Sequence, residues 1–447
     1  MRTRSVIGIL ALATLCLTPI SQAAVKAGGS CAKLGVTSST ATTKFTCIKS
    51  GKKLVWNKGV PVAKPTPQAT PNSNISPTPA ATVKPATSNT APCKLPVADG
   101  RGDVSIGGWP RISDRMRTTG TLNIQVIMVD FPDAVATMSP QTAFGMISGA
   151  TETFKEVSYG RMNYNLIPNY KWYRMKSKST TYAPLNKSFD SHRAYIAEAL
   201  AMADPEIDFS NTDAFVILAN PDSTGIGDSG PGFASIFGRG FTLDGRYIAN
   251  GATSSHDLNF WKSLWLNHEV THTMGLVDVY AATPGGGSDY WDWHRYTGQF
   301  SYMGWSSFEA NSPGLFAFER WNLGWLDDAQ IICSADTTTQ VLTPIETIGG
   351  VKALMIPLSR TKVIVVESRR ALGLDKNTKK EGALVYVVDS SKQSGMGPVQ
   401  VHPIDLAKDP TYLYATRGLG ESVSVEGYTI TVTAADSSGD TVTIKRG

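Results

Sequence analysis

Residues 254–278, SSHDLNFWKSLWLNHEVTHTMGLVD, constrain this chain more than any other stretch. They contain His-Glu-x-x-His at His268, Glu269 and His272. Positions four apart share one helix face, so both imidazoles can converge on a single ion. Leu258, Trp261, Leu264, Trp265 and Met274 recur at helical spacing, which predicts a helix half-buried in a core. Ser254 or Ser255 is suited to cap its start, and Gly275 to supply the left-handed residue that ends it. Asp278 follows three residues later as a third candidate ligand, arriving from a loop. Neutral imidazoles and a carboxylate suit Zn2+, and three protein ligands leave one coordination position open. Glu269, beside a ligand on the same helix end, is placed to act as general base. Met303, in the apolar turn FSYMGW, is either the floor of such a site or ordinary core filler. His192, His256, His294 and His402 have no partner at ligand spacing, with His294 the substitute should Asp278 not serve.

The 447 residues exceed one small core and predict two or three domains. Residues 1–23 combine two arginines, an apolar run and a small-residue exit, the pattern of a signal peptide. The expected localisation is therefore secreted (extracellular), with association to the cell wall as a variant of it. No later apolar run is long enough to span a bilayer, so stable membrane insertion is not expected. Losing Arg2 and Arg4 takes the formal charge from +5 to +3, which over so long a chain is no nucleic-acid footprint.

Four cysteines remain after the signal, an even number that favours disulfides in an exported chain. Proximity along the chain favours Cys31–Cys47, which leaves Cys93–Cys333 to clamp the ends of the central domain, although four cysteines permit three pairings. Residues 24–59 read as a small module too short to fold without its staple. It resembles cysteine-paired modules ending in Lys-Leu-x-Trp on exported bacterial proteins. Cell-surface contact is one reading of it; a spacer or pro-region is the other. Residues 60–92 hold many prolines and threonines with no acid and no aromatic, and read as an extended linker open to proteolysis. From residue 93 to 328, strands at Leu122–Val129 and Asp213–Leu218 alternate with helical stretches at Pro140–Val157 and Ser191–Ala203, an α+β pattern. The glycine-rich PDSTGIGDSGPGFASIFGRG reads as a loop, and Asp244-Gly245 as a hairpin whose edge could pair with an extended peptide. Residues 329–447 show short β-rich runs between Gly, Asp and Ser turns, the mark of an all-β sandwich packed against the preceding domain.

Seven segments together resemble the immune-inhibitor-A family of secreted bacterial zinc metallopeptidases, relatives of the metzincins. They are VIMVDFPD (126–133), EVSYGRM (156–162), HEVTHTMGLVDVY (268–280), SYMGW (301–305), PGLFAFERWNLGWL (313–326), VIVVESRRALGLD (363–375) and EGALVYVVD (381–389). The resemblance implies a zincin catalytic domain with a mixed sheet and an active-site helix. It implies His268, His272 and Asp278 as zinc ligands, Glu269 as catalytic base, and Met303 as the Met-turn. Thr271 stands where the family often has glycine. Trp305 stands where some metzincins have an oxyanion-stabilising tyrosine, leaving Tyr280, Tyr290 and Tyr302 as candidates for that role. Relatives also carry Ca2+, for which no compact acidic loop is present here. The expected partner is a protein or peptide substrate; a zinc amidase on cell-wall peptides and a non-catalytic surface-binding protein are the competing expectations.

Overall fold

The computed structural model describes residues 26–39, 43–61, 89–97, 106, 108–112, 114–235, 238–282, 293–304, 313–402, 412 and 414–447. The signal-peptide expectation, most of the linker, Tyr290 and Trp305 lie outside these. The chain divides into two compact units, Met1–Thr82 and Val83–Gly447.

In the first unit, β1 (Thr37–Ser39), β2 (Thr43–Ser50), β3 (Lys53–Trp56) and β4 (Val60–Pro61) form an antiparallel sheet around β2. Phe45 and Cys47 are its buried residues, and Cys31 is bridged to Cys47. Val60 and Pro61 belong to this sheet by pairing with Lys44 and Thr43, two residues beyond the expected edge of the module.

The second unit is mixed α and β, mostly β. Its first sheet contains β5 (Gly120–Asp130), β6 (Met162–Arg174), β7 (Ala214–Ala219), β8 (Gly232–Ala234) and β11 (Asn250–Thr253). The order is β6-β5-β7-β11-β8, parallel throughout except for the antiparallel edge strand β8. Strand alternation sends Leu122, Ile124, Val126 and Met128 to one face and Ile127 and Val129 to the other. Both faces are covered, which explains the near-continuous apolar run of β5. Five helices matter here: α1 (Pro140–Gly145), α2 (Ala150–Val157), α3 (Ser179–Tyr182), α4 (Phe189–Ala203) and α5 (Leu258–Trp261). Helix α4 buries Tyr195, Ile196 and Leu200 against one face, while α2 packs its Phe154 and Val157 on the other beside α6 (Ser263–Thr273).

Several local features depart from the sequence reading. The stretch 140–157 is two helices, α1 and α2, rather than one helical run. Strands β9 (Phe241–Leu243) and β10 (Arg246–Ile248) make the Asp244-Gly245 hairpin, yet form a separate two-stranded sheet. The helical stretch expected over 254–278 is broken at Lys262, whose φ of 48° and ψ of −127° separate α5 from α6. Apolar spacing counts the residues that face the core and is blind to one reversed residue between them. Neither serine caps a helix: Ser254 is buried, its hydroxyl accepting from Ala219 N, and Ser255 donates to Asp257.

After α7 (Ala317–Asn322) the chain is β-rich. One sheet has the order β12-β14-β15-β16-β17: Ile331–Cys333, Ala353–Pro357, Lys362–Arg369, Gly382–Asp389 and Val399–His402. The other is β13-β20-β19-β18: Thr338–Leu342, Gly439–Arg446, Tyr428–Asp436 and Ser422–Val425. Ile364, Val366 and Val385 meet Ile430, Val442 and Ile444 between the two sheets. The opposite face of β15 and β16 presents Val365, Leu384, Tyr386 and Val388 to the core that also holds Phe316, Trp325 and Met303. The five-stranded sheet is thus a middle layer, buried on both sides. Cys93 is bridged to Cys333, closing a loop of 240 residues around the first sheet. No helix among the described residues is long and apolar enough to cross a membrane.

Candidate metal centre

Helix α6 buries Leu264, Trp265, Leu266, Val270 and Thr271. His268, Glu269 and His272 occupy its remaining, half-buried face, as their spacing requires. After Thr273, Gly275 at φ +106° reverses the chain and brings Asp278 back over that face. The Oδ1 atom of Asp278 lies 3.0 Å from His268 Nε2 and 3.2 Å from His272 Nε2, and the two Nε2 atoms are 3.1 Å apart. It is the one such group of three His, Cys, Asp or Glu side chains among the described residues.

Each ring is held by its other nitrogen. His268 Nδ1 faces the Tyr302 carbonyl at 3.0 Å, and His272 Nδ1 faces the Leu276 carbonyl at 2.9 Å. A carbonyl only accepts, so both Nδ1 atoms carry hydrogen and, in the neutral rings, both Nε2 atoms turn lone pairs inward. With both rings neutral, three acceptors converge with no donor among them, an arrangement that a proton or a metal cation would satisfy. Donors on a tetrahedral zinc at about 2.0–2.1 Å would stand about 3.3 Å apart, close to the spacing found. The donor set fits the ion. Without a metal the proton fills that place: burial disfavours an imidazolium at His272, but Asp278 outweighs it and pushes the ring up to about 9. Burial opposes ionisation of Asp278, yet the two histidines hold its carboxyl well below the usual range.

Glu269 accepts from Gly232 N at 2.7 Å through Oε2. Burial raises its pKa, while His268, His272 and that amide pull the other way. Gly232 opens the edge strand β8, and a Cβ there would stand 2.6 Å from the Glu269 carbonyl oxygen. The strand can approach α6 so closely only because no side chain intervenes.

Asp278 has a partner from the distant β half. Ser394 Oγ donates to Asp278 Oδ2 at 2.9 Å and accepts from Asp278 N at 3.0 Å. Gly395 N donates to the Asp278 carbonyl at 3.0 Å, and Ala282 N to the Gly395 carbonyl at 2.9 Å. Both belong to the connection between β16 and β17.

Met303 is fully buried, and its carbonyl accepts from Val279 N, so the turn supports the strand of chain that carries Asp278. The Tyr302 hydroxyl is buried against Thr271, away from solvent. Tyr280 is half-buried and stacks on His268 with ring centres 6.1 Å apart. Of the candidate tyrosines that are described, it is the one that is not fully buried. His294 lies apart from the cluster, its Nδ1 on the Gly304 carbonyl; burial pushes it down to about 4. His192 bonds Thr253 and His256 bonds Asp228.

Sequence reading missed Gly232 and Ser394. A three-residue strand inside a glycine-rich run has too little alternation to register, and Ser394 lies 116 residues from its partner with no local sign of it. A comparison with known protein families matches no family model, and a comparison with curated proteins finds no similar chain.

Proposed function

We propose that this chain is a zinc-dependent endopeptidase of zincin type, with His268, His272 and Asp278 holding the ion and Glu269 as general base. The observation that carries this reading is the convergence of three acceptor atoms within 3.2 Å while both Nδ1 atoms are committed to carbonyls. When bound, such an ion supplies Lewis acidity, bringing the pKa of water toward ~7 and polarising a carbonyl. Gly232 fixes one Glu269 oxygen and leaves the other to take a proton from water and return it to the leaving amine. The exposure of the three donors, 18–27% of each side chain, leaves the site open to a substrate. Tyr280 is the candidate for stabilising the developing oxyanion, and β8 is the sheet edge along which an extended peptide would lie.

The test is Glu269→Gln. The variant should bind one zinc as the wild type does and lose ~10²–10⁴-fold in cleavage of a protein such as casein. Wild-type protein that carries zinc but cleaves no amide would overturn the reading. Cleavage of peptidoglycan with casein untouched would move the substrate to cell-wall peptides.

A further inference from the structure

The modest charge of the whole chain conceals a sharp division. All 37 acidic residues fall after position 98, together with 30 of the 42 basic ones. The first 98 residues therefore carry 12 cations and no carboxylate side chain, and the remainder is net acidic. Within the small sheet unit the cations are Lys26, Lys33, Lys44, Lys49, Lys52, Lys53 and Lys58, and every one is exposed. None can be neutralised inside the unit, because the unit has no acid to do it.

Their placement narrows the partner. Lys44 and Lys49 are five apart on β2 and so project from opposite faces of the sheet. Lys53 pairs across from Ser50 and shares the face of Lys44, while Lys49, Lys52 and Lys53 crowd the β2–β3 turn. A flat bilayer could reach only one of these faces; a flexible chain can follow both. Nucleobase stacking needs open aromatic faces, but Phe45 is buried and Trp56 half-buried. The ammonium is a compact point charge suited to phosphate without bidentate geometry, and all seven cations here are lysines.

We infer that the disulfide-stapled unit is a binding module for a flexible polyanion of repeated phosphates without nucleobases, and that it localises the rest of the chain to such a polymer. This goes beyond the zinc reading and does not depend on it.

The full-length protein should bind immobilised long-chain inorganic polyphosphate. With about four phosphates engaged, raising salt from ~50 mM to ~200 mM should weaken binding roughly 50-fold by counterion release. The triple variant Lys49→Glu, Lys52→Glu, Lys53→Glu should bind at least tenfold more weakly at the lower salt. Its fold is checked by an unchanged circular dichroism spectrum and by the absence of free thiols, since Cys31–Cys47 must stay closed. A triple variant that folds and binds as tightly as the wild type would refute the module's role. So would binding indifferent to salt, capture by phosphatidylglycerol vesicles without capture by polyphosphate, or a marked preference for single-stranded DNA over polyphosphate.

Discussion

Ser394→Ala removes one hydroxyl and leaves every proposed ligand in place. In the structure that hydroxyl donates to Asp278 Oδ2 and accepts from the Asp278 amide, so it fixes both the carboxylate and the backbone that carries it. A hydrogen bond to a charged acceptor contributes ~1.5–3 kcal/mol. The Asp278 side chain is 21% exposed, so water replaces part of the loss and ~1–2 kcal/mol is the better figure. At about 1.4 kcal/mol per tenfold, zinc affinity should fall about 5- to 30-fold. Outer-shell substitutions at metal sites typically cost a comparable 10–100-fold. The assay is competition for zinc against a chromogenic chelator, with wild type, Ser394→Ala and Ser394→Thr side by side. Threonine keeps the hydroxyl and should recover most of the affinity, which a merely structural role in the loop would not produce. If wild type binds zinc and the alanine variant matches it within about twofold, the positioning role of Ser394 is wrong while the ligand set survives. If wild type binds no zinc, the metal reading itself fails.

Two further outcomes follow from the geometry. Gly232→Ala places a Cβ 2.6 Å from the Glu269 carbonyl and 3.5 Å from its Oε2, so β8 must withdraw and the amide bond to the base is lost; kcat should fall ~10–100-fold with zinc affinity unchanged, read by steady-state kinetics and the same chelator titration. Glu319 is fully buried, its Oε2 held by Ser301 and Phe316 N, and burial raises its pKa to about 7. A folded value above the unfolded one means the acid form stabilises the fold at low pH, and that contribution is lost as pH rises from about 4.5 through about 7. Wild type should therefore lose on the order of 3 kcal/mol of stability between pH ~5 and ~8 relative to Glu319→Gln, measured by urea unfolding at both values; equal pH profiles for the two proteins would show that Glu319 ionises freely.

Legibility in the sequence followed the range over which each interaction acts. The convergence of His268 and His272 on one helix face was readable because four residues is about one helical turn, and that of Asp278 because a glycine bend needs only a few residues to return. β5 and β7 were readable because both faces of each are buried, giving unbroken apolar runs. The break at Lys262 was not, since the residues on either side keep helical spacing. Gly232 was hidden for the opposite reason: its contribution is the absence of a side chain, which in a glycine-rich run looks like flexibility. The charge division between the first 98 residues and the rest was present in the sequence but is erased when charge is averaged over the chain.

Ser394 exposes the deeper limit, because its role exists only once the β half is folded against the first sheet. Asp278 arrives on a loop, and a loop carboxylate has no fixed orientation of its own. His272 is aimed by the Leu276 carbonyl one helical turn on, and His268 by the Tyr302 carbonyl 34 residues on. Asp278 is aimed from β16–β17, through Ser394 and Gly395. That connection is anchored in turn by Tyr386, Val388 and Val399, which share a core with Met303 and α6. A boundary drawn near residue 328 marks a change of periodicity, yet apolar packing runs straight across it. The β-rich segment is therefore part of the site's construction: it holds the third donor in place, and the two histidines alone would leave that corner to whatever conformation the loop adopted.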